Sequence, residues 1–312
     1  MLALAVVADL AIGDPVYRWH PVRLIGGSLR MVEHALRRAG ADGYGGGIAL
    51  FAILAAAWVG GVSLVLPVLA EWWRQAGVAL HLFLLYSLLA LGDLLRHAWR
   101  IERAVRRDDL VAARVGVSHL VGRDTSEMDG AACRRAAVES LSENLVDGFT
   151  SPLLWYVAGG LPSLVLFKVV STMDSMVGNK TPLYLRFGWC GARLDDAMNF
   201  VPARLTWLWI AAMAAVLPGC SGLKALRIGL AQHALLPGPN SGWSEAAAAG
   251  ALTRRLVGPI RLDGRIVTET WIGDPLDPPL ASEADVRRAL ALIAGAGATA
   301  AVAACAALRA TL

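Results

Sequence analysis

Five stretches of the chain contain no Asp, Glu, Lys or Arg: Gly45–Ala70, Gly77–Gly92, Gly148–Phe167, Leu205–Leu223 and Ala289–Leu308. A helix needs roughly 20 apolar residues to cross a bilayer, with about 17 as a lower limit. Four of the stretches reach that range and the second nearly does, so the pattern predicts four to five hydrophobic helices. The polar residues gather between them, in Asp9–Asp42, Arg96–Asp147, Lys168–Arg204 and Lys224–Arg288. Of these, Arg96–Asp147 has helical character and Lys224–Arg288 is broken by Pro and Gly. The short link Glu71–Gln75 differs from them, and its paired Trp72 and Trp73 suit a membrane interface.

Lys and Arg are frequent in all four polar stretches, which the positive-inside rule places in the cytoplasm. Counting crossings conflicts with this if Gly148–Phe167 spans fully, because Lys168–Arg204 then lies outside. The stretch carries its own break at Ala158–Pro162, "AGGLP", where Gly-Gly stops one helix and Pro permits the next. Leu217–Gly222, "LPGCSG", is a similar break. Two re-entrant hairpins, allowed where protein buries them, keep every polar motif on one side. Two plain spans, with the third polar stretch outside, are the alternative.

Composition agrees with the pattern. The 312 residues are 56% hydrophobic and 17% charged, with a mean hydropathy of +0.52, whereas soluble domains are about half apolar and a quarter charged. We expect an all-α, polytopic integral membrane protein in the cytoplasmic (inner) membrane, with cytoplasmic helical loops. No repeat or low-complexity linker divides it, so residues 1–312 read as one domain. The N-terminus lacks a basic leader and meets Asp9 too early for a cleavable signal. Cys133, Cys190, Cys220 and Cys305 form no CxxC pair and read as buried thiols. The net charge of +4 comes from interleaved acids and bases, with no basic-aromatic block for nucleic acid.

Several polar constellations lie at the predicted boundaries. "DLAIGDPVYRWHPVRLIG" brings Asp9, Asp14, His20 and Arg23 after eight apolar residues, and ionisable groups near a bilayer are expensive and usually functional. In "ESLSENLVDG", Glu139, Glu143 and Asp147 are spaced four apart and stack on one helical face, where like charges oppose each other by roughly 0.2–0.5 kcal/mol per pair. It is either a solvated face, with Arg135 pairing Glu139, or a surface for a divalent cation or an amine. Lys168, Ser171, Thr172 and Ser175 share a face, with Asp174 and Lys180 nearby; the set lacks a Walker A loop but suits phosphate. "ARLDDAMNFVPARLT" groups Arg193, Asp195, Asp196, Asn199 and Arg204, and one helical turn can present Asp195 with Asn199. Asn240 and Ser241 lie in a turn before a helix of small residues that carries Glu245 in its first turn. Together these describe a phosphate-handling enzyme at a membrane surface.

The motifs "DLAIGDP…HPVRLIG", "AAVESLSENLVDGFTSPLLWYVAGG", "KVVSTMDSMVGNK", "FGWCGARLDDAMNFVPARLT" and "PNSGWSEAAAAGAL" occur in that order. The chain thereby resembles the adenosylcobinamide-phosphate synthase family of cobalamin biosynthesis, the CobD/CbiB type, from Asp9 to about Pro275. The resemblance implies a membrane enzyme that joins the corrinoid adenosylcobyric acid to aminopropanol or its phosphate through an amide, using ATP and Mg²⁺. On that footing Glu143, Asp147, Asp174 and Lys168 are expected to be catalytic. His20, Arg23, Lys180, Arg193, Arg204, Asn240 and Ser241 are expected to bind substrate and phosphate, and Asp14, Glu139, Asp195 and Asp196 to hold metal. Oligomerisation is compatible with this picture. A different class, a membrane carrier for corrinoid or another anionic solute, is the alternative.

Overall fold

The structure, a computed structural model, describes residues 1–15, 17–262 and 265–310. In chain order the α-helices are α1 (Leu2–Ile12), α2 (Pro21–Arg38), α3 (Tyr44–Trp72), α4 (Arg74–Ser87), α5 (Leu91–Arg106), α6 (Leu110–Ser118) and α7 (Gly130–Leu145). A π-helical turn, Val146–Thr150, leads into α8 (Ser151–Val177), followed by α9 (Trp189–Met198), α10 (Phe200–Val216), α11 (Gly222–Gln232), α12 (Ser241–Leu252) and α13 (Glu283–Ala310). Between α12 and α13 lie four short strands, β1 (Leu256–Val257), β2 (Ile260–Leu262), β3 (Arg265–Thr268) and β4 (Trp271–Ile272). The fold is therefore all-α in character, with two small antiparallel ribbons, β1–β4 and β2–β3. Sequence patterning does not announce these strands, which are at most four residues long.

Four helical runs are long and apolar enough to cross a membrane: Tyr44–Trp72, Arg74–Arg106, Gly130–Val177 and Glu283–Ala310. The pair Trp189–Met198 and Phe200–Val216 raises the number to five if counted as one span. This matches a polytopic membrane protein. Trp72 and Trp73 are exposed at the end of α3, as an interfacial pair requires. Cys133 and Cys190 are buried free thiols, whereas Cys220 and Cys305 are only half-buried, a correction to the expectation of four buried ones.

The chain divides into two compact units interleaved along the sequence. The first holds Met1–Ala90, Ser151–Asn199 and the segment from Ala304. Its core joins α2 (Ile25, Leu29), α3 (Leu50, Leu54), α8 (Val169, Met173, Val177) and Phe187. A Cβ on Gly47 would lie 2.0 Å from the Phe187 carbonyl oxygen, so only glycine lets α3 approach that loop.

The break foreseen at Ala158–Pro162 is present. Gly159 and Gly160 leave helical geometry, and Gly160 has φ 66° and ψ −158°, a region open essentially to glycine alone. The chain folds back there. Trp155, before the break, packs against the cluster of Phe167, Val170 and Met198 beyond it. Its indole donates to the Met198 carbonyl at 3.1 Å, and the Ser151 hydroxyl donates to the Asn199 side chain. A straight helix would hold Trp155 and Phe167 ~18 Å apart. The long apolar run is thus a helical hairpin, not one rod.

The second unit holds Leu91–Thr150 and Phe200–Ala303. One of its clusters joins Ile101 of α5, Ala113 and Val117 of α6, and Cys133, Ala136 and Ala137 of α7. The break at Leu217–Gly222 also reverses the chain: the Trp207 indole of α10 donates to the Ala225 carbonyl of α11 at 3.2 Å. Helix α12 returns alongside, with Ser221 N–H donating to the Ala251 carbonyl at 2.8 Å. Residues Gly242 to Leu252 of α12 are all buried. Alanine and glycine make that possible by letting backbones touch: a Cβ on Gly250 would lie 2.4 Å from the Lys224 carbonyl oxygen.

Candidate functional site

Each unit carries its own polar set. In the first, His20 caps the start of α2, and its Nε2 lies 2.7 Å from Asp14 Oδ1. One face of α2 presents Arg23, Gly26 and Arg30 at helical spacing. Opposite them α8 presents Lys168, Ser171, Thr172 and Ser175, the face expected from spacing alone. Together they line a cavity of about 500 Å³. Gly26 brings α2 close to α8, since a Cβ there would lie 3.2 Å from the Met176 sulfur. Lys168 is only 9% exposed, so its ammonium enters the cavity from a low-dielectric wall. Three cations and three hydroxyls around one space favour an anion with several acceptor oxygens.

The acids of this unit form a graded group. Asp195 accepts from Asn199 Nδ2 at 2.9 Å, and Asn199 in turn accepts from Ser151, so the hairpin fixes the Asp195 turn. Asp174, Asp196 and Lys168 all act electrostatically on Asp195. Asp196 lies 3.7 Å from the exposed Arg193 and within electrostatic range of Lys180. Among the described residues no three His, Cys, Asp or Glu side chains converge as metal ligands. Mg²⁺ commonly uses one or two carboxylates and takes its remaining oxygens from phosphate and water. One or two carboxylates drawn from Asp174, Asp195 and Asp196 would suit that mode.

In the second unit Glu139 and Glu143 lie on α7, one turn apart, whereas Asp147 sits in the π-helical turn that follows. The wider turn breaks the regular four-residue stacking of the three acids, and such turns are frequent at functional sites. Glu139 does not pair with Arg135. One of its oxygens accepts from Arg123 and the other from the Val257 backbone N–H at 2.8 Å. Val257 holds φ 67°, an outlier for a β-branched residue, and that bond secures it. Arg135 turns instead to the Leu280 carbonyl and the Trp271 ring. Glu143 is exposed on the surface of α7, and its carboxylate has no hydrogen bond or ion pair among the described residues.

Helix α12 runs antiparallel to α7. Trp243 packs on Val146 at one end, and Val257, just beyond the helix, meets Glu139 at the other. Glu245 lies between these points. It is 6% exposed and makes no hydrogen bond or ion pair among the described residues. Burial first, then the charges of Glu143 and Glu139, push its pKa well above the usual carboxylate range. At the start of α12 the Arg204 guanidinium stacks on Phe200 at 3.4 Å, lies 4.9 Å from the Trp243 ring, and reaches Asn240 Oδ1 at 3.4 Å. The Ser241 hydroxyl donates to the Pro237 carbonyl.

The predicted residues thus fall into two groups. Asp14, His20, Arg23, Lys168, Asp174, Lys180, Arg193, Asp195 and Asp196 belong to the first unit, and Glu139, Glu143, Asp147, Arg204, Asn240 and Ser241 to the second. Arg193, Lys180 and His20 do not line the cavity that holds Arg23 and Lys168. Sequence reasoning passed over Arg30, although its seven-residue distance from Arg23 signals the same face. It also gave Glu245 no site role; a single acid within a helix of alanine and glycine was the available sign.

A profile of the CobD/Cbib protein family matches residues 2–293. Cobalamin biosynthesis protein CbiB of Salmonella arizonae is 40% identical over 277 residues, 87% of this chain and 86% of that protein. Cobalamin biosynthesis protein CobD of Pelobacter propionicus is 40% identical over 276 residues, 88% of this chain and 85% of the relative. A CobD of Sinorhizobium sp is 39% identical over 306 residues, covering 95% and 94% of the two chains. No solved structure matches.

Proposed function

Because the chain belongs to the CobD/Cbib family and has a role in cobalamin biosynthesis, we propose that it is an amide-forming ligase. It joins the carboxylate of adenosylcobyric acid to the amine of aminopropanol or its phosphate, at the expense of ATP. The observation that carries this reading is the cavity of Arg23, Arg30 and Lys168, walled by three hydroxyls and adjoining an acidic group. A carboxylate does not react with an amine until one of its oxygens becomes part of a leaving group. Transfer of the γ-phosphoryl group of ATP to that oxygen releases ADP and leaves an acyl phosphate. The amine then attacks the acyl carbon, and the C–O bond to phosphate breaks.

The chain's residues suit these steps. Lys168, Arg23 and Arg30 hold phosphate oxygens in a partly dry setting, where fixed cations stabilise developing charge most. Asp174, Asp195 and Asp196 are the carboxylates fit to hold Mg²⁺, which when bound neutralises phosphate charge. The incoming ammonium must lose a proton before it can attack, and Glu143, exposed and without a hydrogen-bonded or ion-paired partner among the described residues, is the candidate base.

The test is product formation by the purified protein in detergent, with Mg²⁺, ATP, adenosylcobyric acid and aminopropanol phosphate. Amide and ADP in equal amounts are expected. Tight corrinoid binding without product, together with uptake in sealed vesicles, would establish the carrier alternative that broken helices also permit.

A further inference from the structure

Helix α5 ends in a cluster of guanidinium groups that neither polar set uses. Trp99, Arg103, Arg106 and Arg107 line a cavity of about 280 Å³. Their spacing of four, three and one residues keeps them on one side of the helix end. The first turns of α13 face this side within the same unit. Arg287 lies 5.4 Å from the Trp99 ring, and Glu283 lies 3.2 Å from Arg106 and also pairs with Arg287. Arg103 and Arg107 make no ion pair and no side-chain hydrogen bond among the described residues. Among the described residues Glu283 is the carboxylate that ion-pairs with this cluster, and it engages Arg106 and Arg287 only. The helix dipole favours cations at the end of α5, but it does not require three of them, with an indole, around one cavity.

The position of the cavity narrows what it binds. Helix α13 is one of the runs long and apolar enough to cross a membrane, and it carries no charge from Ala289 to Leu308. Arg287 precedes that apolar run by two residues, ~3 Å of helix rise. Trp99, against Arg287, lies at the same level, where indole rings prefer the boundary between hydrocarbon and water. Guanidinium groups bind phosphate with two parallel hydrogen bonds. A basic pocket between helices at the polar edge of a bilayer suits a lipid headgroup. We infer that this cavity binds the phosphate of an anionic phospholipid, independently of the reaction proposed above.

The experiment uses the full chain purified in an uncharged detergent. Phosphatidylglycerol, phosphatidylcholine and soluble glycerol 3-phosphate are added separately, and retained ligand is measured by native mass spectrometry. Wild-type protein should keep phosphatidylglycerol in preference to phosphatidylcholine and ignore glycerol 3-phosphate. The double variant Arg103→Gln/Arg107→Gln should bind phosphatidylglycerol roughly tenfold or more weakly, with its melting temperature in detergent alone unchanged. Should the double variant misfold, Arg107→Gln alone, at an exposed position, should still weaken binding. Equal retention of both lipids, or undiminished phosphatidylglycerol binding by a folded variant, would overturn the inference. Glycerol 3-phosphate binding as tightly as the lipid would also overturn it, in favour of a site for free phosphate esters.

Discussion

The two units treat their acids differently. In the unit built on α8 and α9, Asp174, Asp195 and Asp196 sit among Lys168, Lys180 and Arg193. In the unit built on α7 and α12, Glu143 and Glu245 act on each other with no cation bonded to either, because Arg123 is already engaged by Glu139. The first set is close to balanced and adjoins the anion cavity through Lys168. In the second, Arg123, itself paired with Glu139, acts on Glu245 only from a distance, and the neighbouring carboxylates repel each other. In the proposed reaction the first set would handle phosphate and the second the proton and amine, and substitutions can test the two apart.

We predict the largest effect at Lys168. Lys168→Met keeps length but removes the buried charge, and turnover should fall by about 10²–10³-fold, as loss of a preorganised charge stabiliser does. Product formation should be measured beside the melting temperature; near-normal turnover would remove the cavity from the reaction. Glu143→Gln should lower turnover by about 10²-fold without loss of stability, since no protein contact is removed. A variant as active as wild type would return the acidic stripe to an ordinary helix face. If excess Mg²⁺ restores the activity of Glu143→Gln, Glu143 is a ligand and not a base.

The next effect concerns the hairpin that positions the first set. Gly160→Ala forces a side chain into a region reserved for glycine and should cost about 1–3 kcal/mol. Gly27→Ala, in open space on α2, serves as the control and should not destabilise. Equal melting temperatures for the two variants would contradict the tight reversal at Gly159–Gly160.

The smallest effect is expected at Glu245. Its pKa is raised in the folded protein, so the neutral form is favoured there. Its contribution to stability is full below the unfolded value of about 4.3 and is lost as pH rises through the raised value. Glu245→Gln should therefore melt higher than wild type at pH 7 to 8, by about 2–4 °C for each kcal/mol regained. The gain should vanish near pH 4. A lower melting temperature at neutral pH would mean that the carboxylate has a cationic partner in the folded state.

Much of this was legible in the sequence. Charge-free runs placed the apolar helices, and "AGGLP" and "LPGCSG" announced the two reversals, because Gly and Pro act locally. The face of Lys168, Ser171, Thr172 and Ser175 followed from helical spacing, as did the Asp195–Asn199 turn. Pairings across elements were not legible. Arg123 displaces Arg135 as the partner of Glu139, and the strained Val257 takes the other oxygen. Nor did spacing show that Asp147 lies in a π-helical turn. Division into two units was also hidden, since each is assembled from separated segments.

The central claim is that the corrinoid carboxylate is activated by phosphorylation, and the fate of its oxygens tests this directly. Adenosylcobyric acid labelled with ¹⁸O in the reacting carboxylate would be converted by the purified protein with ATP, Mg²⁺ and aminopropanol phosphate, and the released inorganic phosphate analysed by mass spectrometry. The account predicts one ¹⁸O atom in each phosphate and the other in the amide carbonyl. Amide formation with unlabelled phosphate would contradict it.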